Sequence, residues 1–167
     1  MKKKDSAIRN DFLLTPSHLS ECGFSDSAMR LFADAIRRIV TRGMTGLLPS
    51  SILLWAIIRW EYTSEDELLR RCVSDYGQFY VDVEESLKPY SEKLVSFMDF
   101  ASLSNVVVTS QEVAQIQGYP RHVVPHYVVI AIASSDDVGG EILNRYGATR
   151  KKLLAMSRII YEEMRSN

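Results

Sequence analysis

The chain has 167 residues, 46% of them hydrophobic, and a formal charge of −1 from 20 basic and 21 acidic side chains. That is enough for one compact domain with a real core, and the near-balance of charge excludes a broad positive field for nucleic acid. Two cysteines, Cys22 and Cys72, cannot form a disulfide framework and fit a reducing compartment, and no apolar run reaches the ~18 residues of a membrane span, so a soluble cytoplasmic protein with no membrane partner is expected.

Residues 1–23 read as a polar leader. Lys2-Lys3-Lys4 is a solvated terminal run, and Asp5, Arg9, Asn10 and Asp11 interrupt any signal-peptide core. Pro16 and Ser17 act as breakers, and Phe12-Leu13-Leu14 forms a short apolar tag able to occupy a groove of the domain itself. The first strong helix follows. Ala28, Leu31, Phe32, Ala35, Ile36, Ile39 and Val40 share one face, with Ser25 as N-cap and Gly43 as stop. Pro49 and Ser50 open Ile52-Leu53-Leu54-Trp55-Ala56-Ile57-Ile58, which is apolar on nearly every side and therefore belongs in the centre of a domain. Ser64 and Glu67 make a capping box for a short helix through Arg71, and a fourth helix is expected over about 75–87, ended by Pro89.

A second set follows the same order. A helix covers about 97–117 and stops at Gly118. Pro125 opens Tyr127-Val128-Val129-Ile130-Ala131-Ile132, whose β-branched residues alone permit a strand. Ser135 caps a short helix over 136–146, and a last helix spans about 149–164. Shifting the first half by 75 residues reproduces the pattern. Gly43 falls on Gly118, Leu48 on Val123, Ile52 through Ile57 on Tyr127 through Ile132, Leu68 on Leu143, Arg70 on Arg145, and Ser74 on Thr149 as candidate N-caps. This repeat decides for helix at 127–132. The expected fold is all-α: two pseudo-repeats of a four-helix unit, about 24–89 and 97–165, packed as one domain over 24–165 with a groove between them.

Phe24-Ser25, Gly43 and Ile52-Leu53-Leu54-Trp55-Ala56-Ile57 in the first half, with Gly118, His126-Tyr127-Val128-Val129-Ile130-Ala131-Ile132 and Val138–Gly147 in the second, resemble the repeats of Clp N-terminal domains of AAA+ unfoldases. The resemblance implies a non-catalytic protein- or peptide-binding module. Its partner would be a Clp ATPase, an adaptor, a substrate or a secretion-sheath helix. The family's Glu-His pair falls on Ser50-Ser51 and on Pro125-His126. Some members use that Glu to read phosphorylated arginine. A guanidinium-bearing ligand needs a carboxylate, so this chain is not expected to read that mark.

Candidate partner-binding residues are Ser25, Ser50, Ser51, Trp60, His126, Arg37 and Arg38. Arg37, Arg38 and Arg42 suit a helix C-terminus and also an acidic partner. Trp60 is a candidate groove anchor, whereas Trp55 reads as core. No Walker A loop and no Gly-x-Ser-x-Gly elbow occurs in the sequence, so neither P-loop nor serine-hydrolase chemistry is expected. His18 and Cys22 supply at most two metal ligands, and Glu84-Glu85 and Asp136-Asp137 read as a solvated face or helix-start acids. No enzyme activity, cofactor or metal is expected. The competing reading is a helical nucleic-acid-binding regulator, which the charge balance opposes.

Overall fold

The computed structural model describes residues 14–60, 63–92 and 95–167. The leader residues Lys2-Lys3-Lys4, Phe12 and Leu13 lie outside them. Leu14 is buried, and Pro16 starts a helix, α1 (Pro16–Glu21), instead of breaking one. The reason is positional: at the first helical residue proline's missing N–H costs nothing. Thr15 caps the helix through His18 N, and Leu19 is buried.

Helix α2 (Asp26–Thr41) buries Ala28, Leu31, Phe32, Ala35 and Ile39, the face that the spacing marks out. Ser25 Oγ accepts from Ala28 N at 3.2 Å. At its other end Gly43 adopts φ 58°, and Gly43 N and Met44 N turn back to the carbonyls of Val40 and Ile39. Gly118 ends α6 (Ala101–Ile116) in the same way, with φ 85° and bonds to Gln115 and Ala114. Both stops need a left-handed residue, which glycine supplies without a Cβ clash.

The two apolar helices, α3 (Ser51–Ile58) and α7 (Pro125–Ala133), are buried along almost their whole length. Each fully buried aliphatic side chain there contributes about 1.5–3 kcal/mol. Burial on all sides overrides the β-propensity of Val128, Val129, Ile130 and Ile132.

Several boundaries differ from expectation. Helix α4 (Ser64–Cys72) is capped by Thr63, not Ser64. Helix α5 (Tyr76–Glu92) runs past residue 87 with Pro89 inside it, and Asp75, not Ser74, accepts from Gln78 N. Pro89 is tolerated because it and Glu85, four residues earlier, are both exposed, so the carbonyl left without an amide faces water. Helix α6 starts at Ala101, not 97, because Met98–Asp99 forms a short strand, β2, parallel to β1 (Gly46–Leu47). Helix α8 (Val138–Arg145) is capped by Asp137, not Ser135: the carboxylate reaches the amides of Gly139 and Gly140. Helix α9 (Arg150–Ser166) has the expected cap, Thr149.

The repeat is visible in the backbone. Helices α2 and α6 begin 75 positions apart, and α5 and α9 begin 74 apart. The halves cross-pair reciprocally. The strand ahead of α6 pairs with the loop ahead of α3, and Phe24, ahead of α2, bridges Val123, ahead of α7. Helices α3 and α5 pack on α8, and α4 packs on α7 and α9, so both halves share one continuous hydrophobic core.

Candidate docking cleft

Asp34, Arg37, Arg38, Thr41 and Arg42 recur at helical spacing along α2, which places them on one stripe. Beside the stripe lies the C-terminal end of α3, with Trp55, Ala56, Arg59 and Trp60. Together they line an open cleft of about 470 Å³.

The floor of the cleft is held by two carboxylates. Glu84 of α5 accepts from Trp55 Nε1 at 2.9 Å and pairs with Arg38 and Arg59, each at 3.4 Å. Asp34 accepts from Trp60 Nε1 at 3.0 Å and pairs with Arg37 at 3.5 Å. The Arg38 guanidinium lies 4.4 Å from the Trp55 ring centroid and that of Arg59 lies 5.3 Å from it. Such contacts are worth about 0.5–2 kcal/mol each and fix the planes of both partners. Four arginines against two carboxylates leave a surplus of positive charge, on a chain that is slightly negative as a whole. Burial lowers the pKa of Arg38 and the neighbouring Arg42 and Arg59 add to this, while Glu84 opposes them. An incoming anion would relieve that crowding.

Of the sequence candidates, the structure gathers Arg37, Arg38 and Trp60 here. Arg37 is open to solvent, with 74% of its side chain exposed. The others lie elsewhere. Ser25 is spent as the N-cap of α2. Ser50 and Ser51 are 0% exposed. Ser50 donates to Asp137 from its amide and its hydroxyl, both at 2.6 Å, and Ser51 accepts from Ser86 at 2.9 Å. Ser50 thereby joins the two halves internally, and Ser51 ties α3 to α5 within the first. His126 is 2% exposed and hydrogen-bonded through Nδ1 to Ser157 Oγ at 2.8 Å. Burial pushes its imidazole down to about 4, so it is neutral at physiological pH.

Trp55 is a correction: it is not core but half-buried, and it forms the cleft floor with two guanidinium groups close to its ring. Glu84 is a second one, because a solvated-face acid proves to be the anchor of Trp55. Arg59 was not among the sequence candidates. Its place directly before Trp60, at the end of a buried helix, is the signal that points to it. His18 Nε2 and Cys22 Sγ are 3.4 Å apart, and Cys72 is buried. Among the described residues no group of three potential metal ligands occurs, nor any helix long and apolar enough to cross a membrane.

No family model and no curated protein sequence matches the chain. Solved structures do. A protein from a malarial protein secretion system superposes with a TM-score of 0.69 at 12% identity, over 84% of this chain and 96% of that one. The N-terminal domain of ClpV, the ATPase studied with the TssB-TssC sheath and the accessory protein HsiE of type VI secretion, gives 0.65 at 14% identity, over 86% and 90%. The Hsp104 N-terminal domain from Candida albicans gives 0.62 at 17% identity, over 80% and 88%.

Proposed function

Proceeding from a chain that has the fold of Clp N-terminal domains, we propose that it is a non-catalytic docking module of a Clp-type AAA+ unfoldase or protease system. It acts in the cytoplasm as a substrate- or adaptor-docking domain or as an accessory factor. The observation that carries this reading is the α2–α3 cleft, where two tryptophans and four arginines meet at the surface. Trp and Arg are the residue types that concentrate binding energy at protein interfaces. The partner segment would present carboxylates to Arg37, Arg42 and Arg59 and an apolar side chain to Trp60. The likeness to N-terminal domains of ClpV and Hsp104 supports a Clp-type setting.

An affinity capture with the purified chain and with an Arg37→Glu/Arg59→Glu variant tests it. The expected result is a Clp-type ATPase, a Clp peptidase or a secretion-sheath protein retained by the wild type and reduced at least tenfold by the variant, because each reversal replaces attraction with repulsion. Retention that ignores the cleft variant would remove the cleft from the function. A salt-dependent shift on generic DNA, with no protein retained, would favour the nucleic-acid reading instead.

A further inference from the structure

The second half carries a different cavity, of about 510 Å³, among the end of α6, the start of α7 and one face of α9. Its walls hold three phenols, Tyr119, Tyr127 and Tyr161, with Arg158, Arg165 and Gln117 around them. Tyr127 is 6% exposed, yet its hydroxyl makes no hydrogen bond among the described residues. The ring is enclosed by protein while the hydroxyl itself stays accessible. Here the open side is the cavity. Gln117 Nε2 is also buried without a partner among the described residues, while Gln117 Oε1 accepts from Arg158 Nε at 3.1 Å. That bond orients the Arg158 guanidinium and leaves its two terminal nitrogens without a partner among the described residues. Tyr161 is fixed from behind by the His126 ring, at a centroid distance of 5.3 Å, and His126 in turn is held by Ser157.

The Tyr127 hydroxyl, Gln117 Nε2 and the Arg158 guanidinium can each donate a hydrogen bond into the cavity. Burial raises the phenol of Tyr127 and pushes that of Tyr161 up to about 12, and the neighbouring phenols add to both shifts, so the hydroxyls stay protonated. Two arginines exclude a cationic ligand. Glu162 on the rim offsets one of them, which leaves one surplus positive charge, the match for a single carboxylate and a poor match for a dianionic phosphate. Aromatic walls and the exposed Ile116 suit an apolar body behind that charge.

We propose that this cavity is a binding site for a carboxylate attached to an apolar or aromatic group, with the carboxylate taken by Arg158 and the hydroxyl of Tyr127. A small aromatic acid and the C-terminal carboxylate of a peptide share this chemistry. The site is separate from the α2–α3 cleft and does not depend on the docking reading.

The test is a titration of the isotope-labelled chain with sodium benzoate and, in parallel, benzamide, following backbone amides by NMR. Benzoate is expected to shift the amides of Gln117, Tyr119, Tyr127 and Arg158 saturably, and benzamide is not. Arg158→Gln is expected to weaken benzoate about tenfold or more, and the milder Tyr127→Phe several-fold, because each removes a donor to a charged acceptor. The Arg37→Glu/Arg59→Glu variant should bind benzoate as the wild type does. A short peptide ending in a free Phe carboxylate, compared with its amidated form, separates the sources. Tighter binding of the free acid than of benzoate assigns the site to peptide C-termini, and no such gain assigns it to small acids. The proposal is overturned by equal shifts with benzamide, by no saturable shift with benzoate, or by unchanged benzoate affinity in a folded Arg158→Gln variant.

Discussion

The same backbone unit presents two unlike surfaces. Between α2 and α3, Asp34, Arg59 and Trp60 line a basic, aromatic cleft. Seventy-five residues on, the positions are Thr109, Ser134 and Ser135, which line a smaller hollow of about 360 Å³ between α6 and α7. There the two serines turn back onto their own helix. Ser134 and Ser135 donate to the carbonyls of Ile130 and Ile132, closing the end of their own helix. The buried positions of the two halves do the same work with similar residues, whereas the exposed ones have gone separate ways. Core positions answer to packing, which the repeat constrains, and surface positions answer only to whatever they meet.

The helix starts that follow show the same divergence. Position 64 of α4 is Ser, and the corresponding position of α8 is Gly139. A Cβ on Gly139 would lie 2.2 Å from Ser50 Oγ and 2.7 Å from the Ser51 backbone nitrogen. The glycine is needed because the buried helix α3 of the first half begins directly against it. Gly139→Val should therefore lower stability by about 3 kcal/mol or more in urea unfolding, since backbone on the facing side has no room to yield. An unchanged midpoint would show that the halves do not meet as described.

The next effect concerns His126, whose counterpart in the first half is Ser51, a group that does not titrate. His126 is held below its usual value in the folded chain and returns to about 6.5 on unfolding. The unfolded chain therefore binds the extra proton, and stability falls with acid. This contribution is complete above pH 6.5 and lost progressively as the pH falls toward about 4, reaching at most about 3 kcal/mol. Unfolding midpoints between pH 7.5 and 4.5 should show a steeper decline in the wild type than in His126→Gln. Parallel curves would count against the burial of a neutral imidazole.

The smallest effect sharpens the contrast between the clefts. Arg59→Ser installs in the first half the residue that the second half has at 134. Half of the Arg59 side chain is exposed, so losing its contacts with Trp55 and Glu84 should lower stability by only about 1 kcal/mol. The partner retained by the α2–α3 cleft should nonetheless bind more weakly. A loss of stability without a loss of binding would mean that Arg59 serves the fold.

The reading of the sequence failed at particular places for physical reasons. Ser74 and Ser135 look like caps as well as Asp75 and Asp137 do, and only the path of the backbone chooses between adjacent residues. Pro16 and Pro89 resemble breakers, but the first sits where no amide is needed and the second near an exposed helix end. Trp55 reads as core because its neighbours do. It became a cleft residue because Glu84, 29 positions away, offers its indole a partner at the surface.

By itself the sequence determined the helices from α2 onward, their order and their duplication, because helical periodicity, glycine stops and burial on all sides of α3 and α7 are properties of short stretches of chain. What only the tertiary structure decided is which polar groups meet. Asp137 reaches Ser50 across 87 positions, and Tyr127 lines one cavity with Arg158 of α9. A hydrogen bond or ion pair depends on separations of about 3 Å between atoms distant along the chain, and residue spacing carries no record of them until the two halves have packed.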